Sequence, residues 1–279
     1  MAHISHSQFT TYNDCNLKWK LRYIDKLGTF VGNIHTLFGT AMHTVIQEYL
    51  SVMYNKSIVA ADKLNMESRL KEEMVTEFTK IKEGKGVLPC TQDEMTEFYQ
   101  DGIAIIQHFR KYRNKYFMKQ NWELVGIEVP INYELPNKIK FIGYMDVVIY
   151  DKVRDRYKII DIKTSTMGWN KWQKADKNKT DQLLLYKQFY SKEFDVPMDR
   201  IDVEYFIVKR KLYENTDFPQ KRIQTFIPAN GTPSINKVNR RLQLFMDECY
   251  DGDGNIIAHN YEKCHPKKKC KAFTKCKDL

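Results

Sequence analysis

The sequence predicts an α/β fold: a mixed central sheet flanked by helices, with an N-terminal helical portion and a C-terminal cysteine-rich tail. Three observations predict it. Up to about residue 120, apolar residues recur at the three-to-four spacing of amphipathic helices. From Trp122 the period changes to two, the spacing of half-buried strands. Beyond Asp251 the periodicity stops, and Cys264, Cys270 and Cys276 crowd together among lysines. Helices followed by strands with a helix crossing them make one α/β unit. The chain therefore reads as a single domain over residues 1–279: a mainly helical portion at 1–120, the core at 121–250 and the tail at 251–279.

Each element has its own justification. Thr10 to Ile24 reads as a helix, with Phe9, Tyr12, Leu17, Leu21 and Ile24 at its apolar positions. A stronger helix spans about Thr36 to Tyr54, where Phe38, Met42, Val45, Tyr49 and Met53 keep helical spacing. Asp62–Lys82 and Gln92–Phe117 are two charged amphipathic helices, separated by the breakers Gly84-Lys85-Gly86 and Pro89. Strands are predicted at Trp122–Tyr133, Ile139–Tyr150 and Tyr157–Lys163, with Pro136-Asn137 as the first turn. A helix at Thr180–Phe194 follows, then strands near Ile201–Lys211 and Arg222–Ile227. A last helix starts after Pro233 and runs to about Tyr250.

At 279 residues with 42% hydrophobic and 13% aromatic content, the chain can bury a sizeable core. Its formal net charge of +10 favours a polyanionic partner, because lysine and arginine gain affinity by releasing counterions from phosphates. The start, Met1 to Gln8, shows no basic segment followed by an apolar stretch, and no apolar run approaches a membrane span. The expectation is a soluble cytoplasmic protein, in a bacterial cell or a virus-infected host cell. Secreted and membrane-spanning classes are set aside. In such a compartment six cysteines are ligands or small buried residues rather than disulfides; Cys90 and Cys249 read as incidental.

Chemistry concentrates in Gly143-Tyr144-Met145-Asp146 and Asp161-Ile162-Lys163. Residues 151–156 are short and polar enough for a hairpin loop. If that loop is symmetric, Tyr150 pairs with Tyr157, and Asp146 falls opposite Asp161. Alternation along the strand then puts Asp161 and Lys163 on one face, joined by Asp146. Directly opposed like charges destabilise a sheet, and the pair makes physical sense with a cation between the carboxylates. Mg²⁺ or Mn²⁺, hard ions that prefer oxygen, fit, with the Ile162 carbonyl as a further ligand. Lys163 would orient and help deprotonate an attacking water and stabilise charge on a phosphate. The competing reading is a buried Asp161–Lys163 salt bridge with Asp146 at the rim. His43, one helical turn after Gly39, would point into a shared cleft, or be a satisfied core or surface histidine. Gln47 and Glu48 read as surface choices. Gln182 and Tyr186 share a face of the later helix; both read as packing residues, or Gln182 reaches a phosphate or a metal-bound water.

Gly39-Xaa-Xaa-Xaa-His43, Gly143-Xaa-Xaa-Asp146, Asp161-Xaa-Lys163 and Gln182-Xaa-Xaa-Xaa-Tyr186 occur in the order seen in RecB-like nucleases, and the chain resembles that family of the PD-(D/E)XK superfamily. The resemblance implies a restriction-endonuclease-like fold and a divalent-metal-dependent deoxyribonuclease. Its expected substrate is single-stranded DNA or DNA ends, cut exonucleolytically in repair, recombination or phage DNA metabolism. It implies His43, Asp146 and Asp161 as metal ligands, Lys163 as catalytic, and Gln182 and Tyr186 as supporting residues. The opening Ser7-Gln8-Phe9 through Cys15 also resembles the family's start.

One branch, which includes AddB-type helicase-nucleases and CRISPR-adaptation exonucleases, holds a [4Fe–4S] cluster on one early and three late cysteines. Cys15, Cys264, Cys270 and Cys276 reproduce that distribution. The spacing departs from the branch: both late gaps hold five residues, and Lys267 occupies the position where a close cysteine is expected. Zinc, with His265 involved, is the competing occupant, and a vestigial site without metal is the third reading. Trp169, Lys171, Trp172 and Lys174 interleave aromatic and cationic residues, as for bases stacked along a single strand, or form a solvated loop with the tryptophans packed below. The implied partners are DNA and no membrane, with a homo-oligomer or a helicase or recombination partner. The alternative function is a non-catalytic DNA-binding or complex-forming subunit that keeps the fold.

Overall fold

The computed structural model describes residues 2–27 and 32–257, and every structural statement below concerns those residues. The change of period at Trp122 does mark the sheet. β2 (Trp122–Leu135), β3 (Ile139–Asp151) and β4 (Arg156–Ser165) form an antiparallel meander. β5 (Ile201–Lys209) then pairs in parallel with β4, and β6 (Ile223–Phe226) pairs antiparallel with β5. The crossover between β4 and β5 carries α7 (Lys171–Ala175) and α8 (Lys177–Glu193), as a parallel connection requires.

One strand was not expected. β1 (His3–Ser5) pairs in parallel with Lys140–Ile142 of β3, and three residues are too few to show a period of two. The sheet therefore begins before the helices. β2 occupies one edge of β3 along nearly its whole length, so β1 and β4 share the other edge. β1 takes Lys140–Ile142 and β4 takes Val147–Asp151. Residues Gly143 to Asp146 pair with neither, and the sheet forks there.

Helices cover both faces. α3 (Ile34–Asn55), α5 (Met66–Lys85) and α6 (Gln92–Tyr112) pack on one face through Phe38, Met42, Leu70 and Phe109, against Val147, Ile162 and Phe206 of the sheet. α1 (His6–Asp14), α8 and α9 (Thr232–Cys249) pack on the other through Phe9, Leu183, Phe189 and Phe245, against Phe141, Met145 and Ile207. Burying each of these large apolar side chains contributes about 1.5–3 kcal/mol. This three-layer mixed sheet flanked by helices is the fold class that the sequence predicts. None of the helices is long and apolar enough to cross a membrane.

The helix expected at Thr10–Ile24 is interrupted. Cys15 is extended, with φ −165°, and its sulfur caps α2 (Asn16–Trp19), after which Lys20–Ile24 continue as a π-helical turn. The expected helix at Asp62–Lys82 resolves into α4 (Ile58–Asp62) and α5, the latter started by the Asn65 cap and stopped at Gly86, whose φ of 65° suits glycine. α7 was not expected; Asn170 and Gln173 form its capping box.

Candidate active site

The site occupies the fork. β3 and β4 pair through Tyr150–Tyr157 up to Val147–Ile160, the register that the hairpin count predicts. The next pair would be Asp146–Asp161, and there the ladder stops. The Asp146 carboxylate takes the ladder's place: its Oδ2 accepts from the Ile162 N–H at 2.7 Å. Asp161 is 1% exposed, with one oxygen 2.7 Å from Lys163 Nζ and Oδ1 without a hydrogen-bond partner. His43 comes from α3 and brings Nδ1 to 3.5 Å from Asp146 Oδ2. Its ring also meets the backbone of Ile162. The four residues expected at a cation site thus converge, with Lys163 beside them.

Burial sets the electrostatics. It raises Asp146 to about 6, against the pull of Lys163 and the Ile162 N–H. It raises Asp161 to about 6 as well, again opposed by Lys163, with Asp146 adding to the rise. Burial and then Lys163 push His43 down to about 4, so its imidazole is neutral near pH 7, the form in which histidine binds metals. Burial also works against the charge of Lys163, but Asp161 and Asp146 outweigh it and hold its pKa above the ordinary lysine value. With both carboxylates ionised beside it Lys163 is an ammonium.

The glycines of the two motifs have steric reasons. A Cβ on Gly143 would stand 2.9 Å from Tyr186 Cε1 and 3.2 Å from its hydroxyl, so the tyrosine ring needs a residue without a side chain beneath it. Gln182 Nε2 donates to that hydroxyl at 3.1 Å, and burial pushes the phenol up to about 12, which keeps it protonated. At Gly39 the close neighbour is a side chain: a Cβ there would lie 3.2 Å from Thr164 Oγ1.

Among the described residues, no three His, Cys, Asp or Glu side chains stand close enough to hold a metal as they are. The donor chemistry nevertheless fits a hard divalent cation. Two carboxylates and a neutral imidazole meet beside a backbone carbonyl, and the buried, unpartnered Asp161 Oδ1 is an acceptor waiting for a ligand.

Three residues enter the site without having been expected. Gln47, read from sequence as a surface choice, is 7% exposed, and its amide donates to Glu128 Oε1 at 2.6 Å and to the Asp146 carbonyl at 3.2 Å. It continues the four-residue spacing of Gly39 and His43, a signal that was readable. Glu48 is a surface residue paired with Arg69. His6 opens α1 near Lys163; burial, then Lys163 and Arg241, push its pKa down to about 3, and its Nε2 is buried without a partner. Arg241 of α9 pairs with the buried Asp181 next to Gln182.

The aromatic and basic segment divides. Trp169 is 7% exposed and packs on Tyr205 with ring centroids 4.8 Å apart, so this tryptophan belongs to the core and offers no open face to a base. Trp172 is 73% exposed, with Lys171 Nζ 4.9 Å from its ring. Lys174 lies over Phe226 at 5.6 Å. Cys15 is half-buried, while Cys264, Cys270 and Cys276 lie outside the described residues. Tyr250, just after α9, packs edge-on to Trp19 of α2 with centroids 6.3 Å apart.

Comparison with known proteins concerns the family and the fold. A family model described as the PD-(D/E)XK nuclease superfamily matches residues 3–276. Among solved structures, the chain is similar to the crystal structure of a protein provisionally named an exonuclease, from Eubacterium rectale. The TM-score is 0.50 at 14% identity, covering 88% of this chain and 79% of that one, and at that identity the likeness concerns the fold. No curated protein sequence gives a significant match.

Proposed function

The chain belongs to the PD-(D/E)XK nuclease superfamily, and we propose that it is a divalent-metal-dependent deoxyribonuclease cutting single-stranded DNA or DNA ends exonucleolytically. The observation that carries this reading is the fork. Two buried carboxylates face each other where the β3–β4 ladder stops, one with an unpartnered oxygen, beside a neutral histidine and a charged lysine.

His43, Asp146, Asp161 and the Ile162 carbonyl would hold Mg²⁺ or Mn²⁺. Bound there, the ion supplies Lewis acidity and charge neutralisation for phosphodiester hydrolysis. The protein's own groups do the rest. The ammonium of Lys163 orients the attacking water and offsets charge developing on the phosphate oxygens. Tyr186, kept protonated and positioned by Gln182, is a second donor toward the same space. Trp172 with Lys171 and Lys174 gives a single strand one exposed stacking ring and two cations along its path. Cys15 and the three late cysteines are proposed to hold a [4Fe–4S] cluster; the meeting of Tyr250 with Trp19 supports it by bringing the start of the tail near Cys15. Iron and sulfide analysis of anaerobically purified protein tests this, and stoichiometric zinc without iron would overturn it.

Cleavage of end-labelled DNA, with Mg²⁺ or Mn²⁺ against EDTA, tests the main reading. Cleavage is expected only with the ion, and Asp161→Ala or Lys163→Ala is expected to abolish it while DNA binding remains. A wild-type rate in both variants rejects the assigned site. Binding without cleavage by the wild type would favour a non-catalytic DNA-binding subunit.

A further inference from the structure

The β5–β6 hairpin and the end of α6 carry cations that the fold treats in two ways. Arg210 and Lys211 lie against α6 and pair with Glu97 and Asp101. Further along α6 the acidic partners stop: between Asp101 and Glu123 the sequence has no Asp or Glu. In that stretch His108 packs on Tyr112 with ring centroids 4.6 Å apart. Lys111 and Lys115 hold their ammonium groups 5.4 and 4.7 Å from the centre of the same ring. From the hairpin come Lys209 and Arg222, the latter tied down by donating to the Arg210 carbonyl at 2.8 Å.

Little in the fold balances this charge. Burial, then Arg222, Lys115, Lys209 and Lys111, lower the pKa of His108, and every charge in that set is positive. Burial, then Arg222, lowers Lys209 as well. Burial also lowers Arg222, opposed by Asp101, which is already engaged by Arg210 and Lys211. Within the cluster His108 Nε2 is buried without a hydrogen-bond partner. A helix C-terminus attracts cations by itself, which accounts for Lys111. It does not account for Lys209 and Arg222, which the hairpin brings to the same place.

The position of the cluster says what it meets. Lys209 pairs with Ser165, two residues beyond Lys163, so it stands about 7 Å further along the strands than the catalytic lysine. Its side chain runs against Gly168, where a Cβ would meet Lys209 Cδ at 2.9 Å, and Gly168 leads into the segment of Lys171, Trp172 and Lys174. The cluster is therefore continuous with that segment but differs in chemistry. Trp172 offers an open ring, whereas the Tyr112 ring is shared by His108 and two ammonium groups. What remains on offer is charge.

We propose that Lys111, Lys115, Lys209 and Arg222 form a phosphate-binding surface for DNA beyond the cleavage point, gripping the backbone without stacking on its bases. The choice of DNA as the polyanion rests on the nuclease reading; the surface itself does not.

The test is equilibrium binding of a labelled single-stranded oligonucleotide to the full chain in EDTA, followed by fluorescence anisotropy over a range of salt. Lys111 and Lys115 are exposed, so both can be replaced without disturbing the core. Lys111→Glu with Lys115→Glu is expected to weaken binding at least about tenfold at about 50 mM salt and to lower the salt slope by about 1.4, the share of two phosphate contacts on a single strand. Lys111→Gln with Lys115→Gln should lower the slope equally with a smaller loss of affinity. Lys71→Glu with Lys82→Glu makes the same change of net charge at exposed positions of α5 and should leave the slope unchanged. An unchanged slope in the Lys111 and Lys115 variants, or an equal drop in the α5 control, overturns the proposal. Hydrolysis of bis(p-nitrophenyl) phosphate with Mn²⁺, a diester too small to reach the surface, should match wild type in every variant; its loss in the Lys111 and Lys115 variants would mean that they act through the fold, and also overturns it. A wild type that binds with the full slope but cleaves neither DNA nor the small diester leaves the surface standing and overturns the nuclease reading instead.

Discussion

The two ends of the β3–β4 hairpin are built from the same kinds of residue and behave in opposite ways. At the closed end Tyr150 and Tyr157 pair with ring centroids 4.8 Å apart, and Asp151 accepts from the N–H groups of Val153 and Arg154. Arg156 grips Asp202 with two hydrogen bonds, and Arg200 pairs with Asp155. The charged groups at that end are partnered. At the open end the ladder stops one pair before two carboxylates would meet, and Asp161 keeps a buried oxygen without a partner. The closed end uses charge to fix a turn. The open end keeps buried charge that the fold alone does not satisfy, which is what a ligand site requires.

The largest effect is expected where the open end is relieved of its charge. In the folded protein Asp146 titrates near 6 rather than 3.8, so its folded pKa is raised. The cost of keeping it ionised is therefore full above pH 6, shrinks as pH falls from 6 toward 4, and is absent below both values. A shift of about two units corresponds to about 3 kcal/mol. Asp146→Asn should stabilise the metal-free protein by up to that amount at pH 7.5, while cleavage is lost. Urea melts at pH 7.5 and pH 5 measure it, with the gain smaller at pH 5. The same protons compete with a cation, so Mn²⁺ affinity of the wild type should rise between pH 5 and 7. His43, neutral above about 4, contributes nothing in that window. A destabilised Asn variant at pH 7.5 would mean that the open end is satisfied by the fold after all.

How much of this contrast the sequence carried depends on distance along the chain. The opposition of Asp146 and Asp161 was legible because a short symmetric loop transmits register faithfully, and Tyr150 does pair with Tyr157. The helix carrying His43 was legible from its apolar spacing. The fork itself was not, because it depends on β1, whose three residues join β3 from more than a hundred positions away. Trp169 and Trp172 show the limit of composition. Two tryptophans three residues apart look alike in sequence, yet Trp169 packs on Tyr205 and Phe226 of the sheet while Trp172, inside the short helix that starts at Lys171, is exposed.

The smallest effect is expected at the closed end, and it is the sharper half of the comparison because it must come out nearly null. The Arg156–Asp202 pair is bidentate, yet the two side chains are 36% and 51% exposed. Solvent screens such pairs, so Arg156→Ala should cost about 0.2–1 kcal/mol. The pair links β4 to β5 at the far end of the strand from Asp161. Losing it removes a surface contact but leaves the turn held by Asp151 and the Tyr150–Tyr157 rings. Mn²⁺ affinity and cleavage rate should match wild type within twofold, on the order of the scatter for distant, independent sites. A loss of metal affinity in Arg156→Ala would show that the hairpin transmits strain along its length, and that its two ends are one device rather than two.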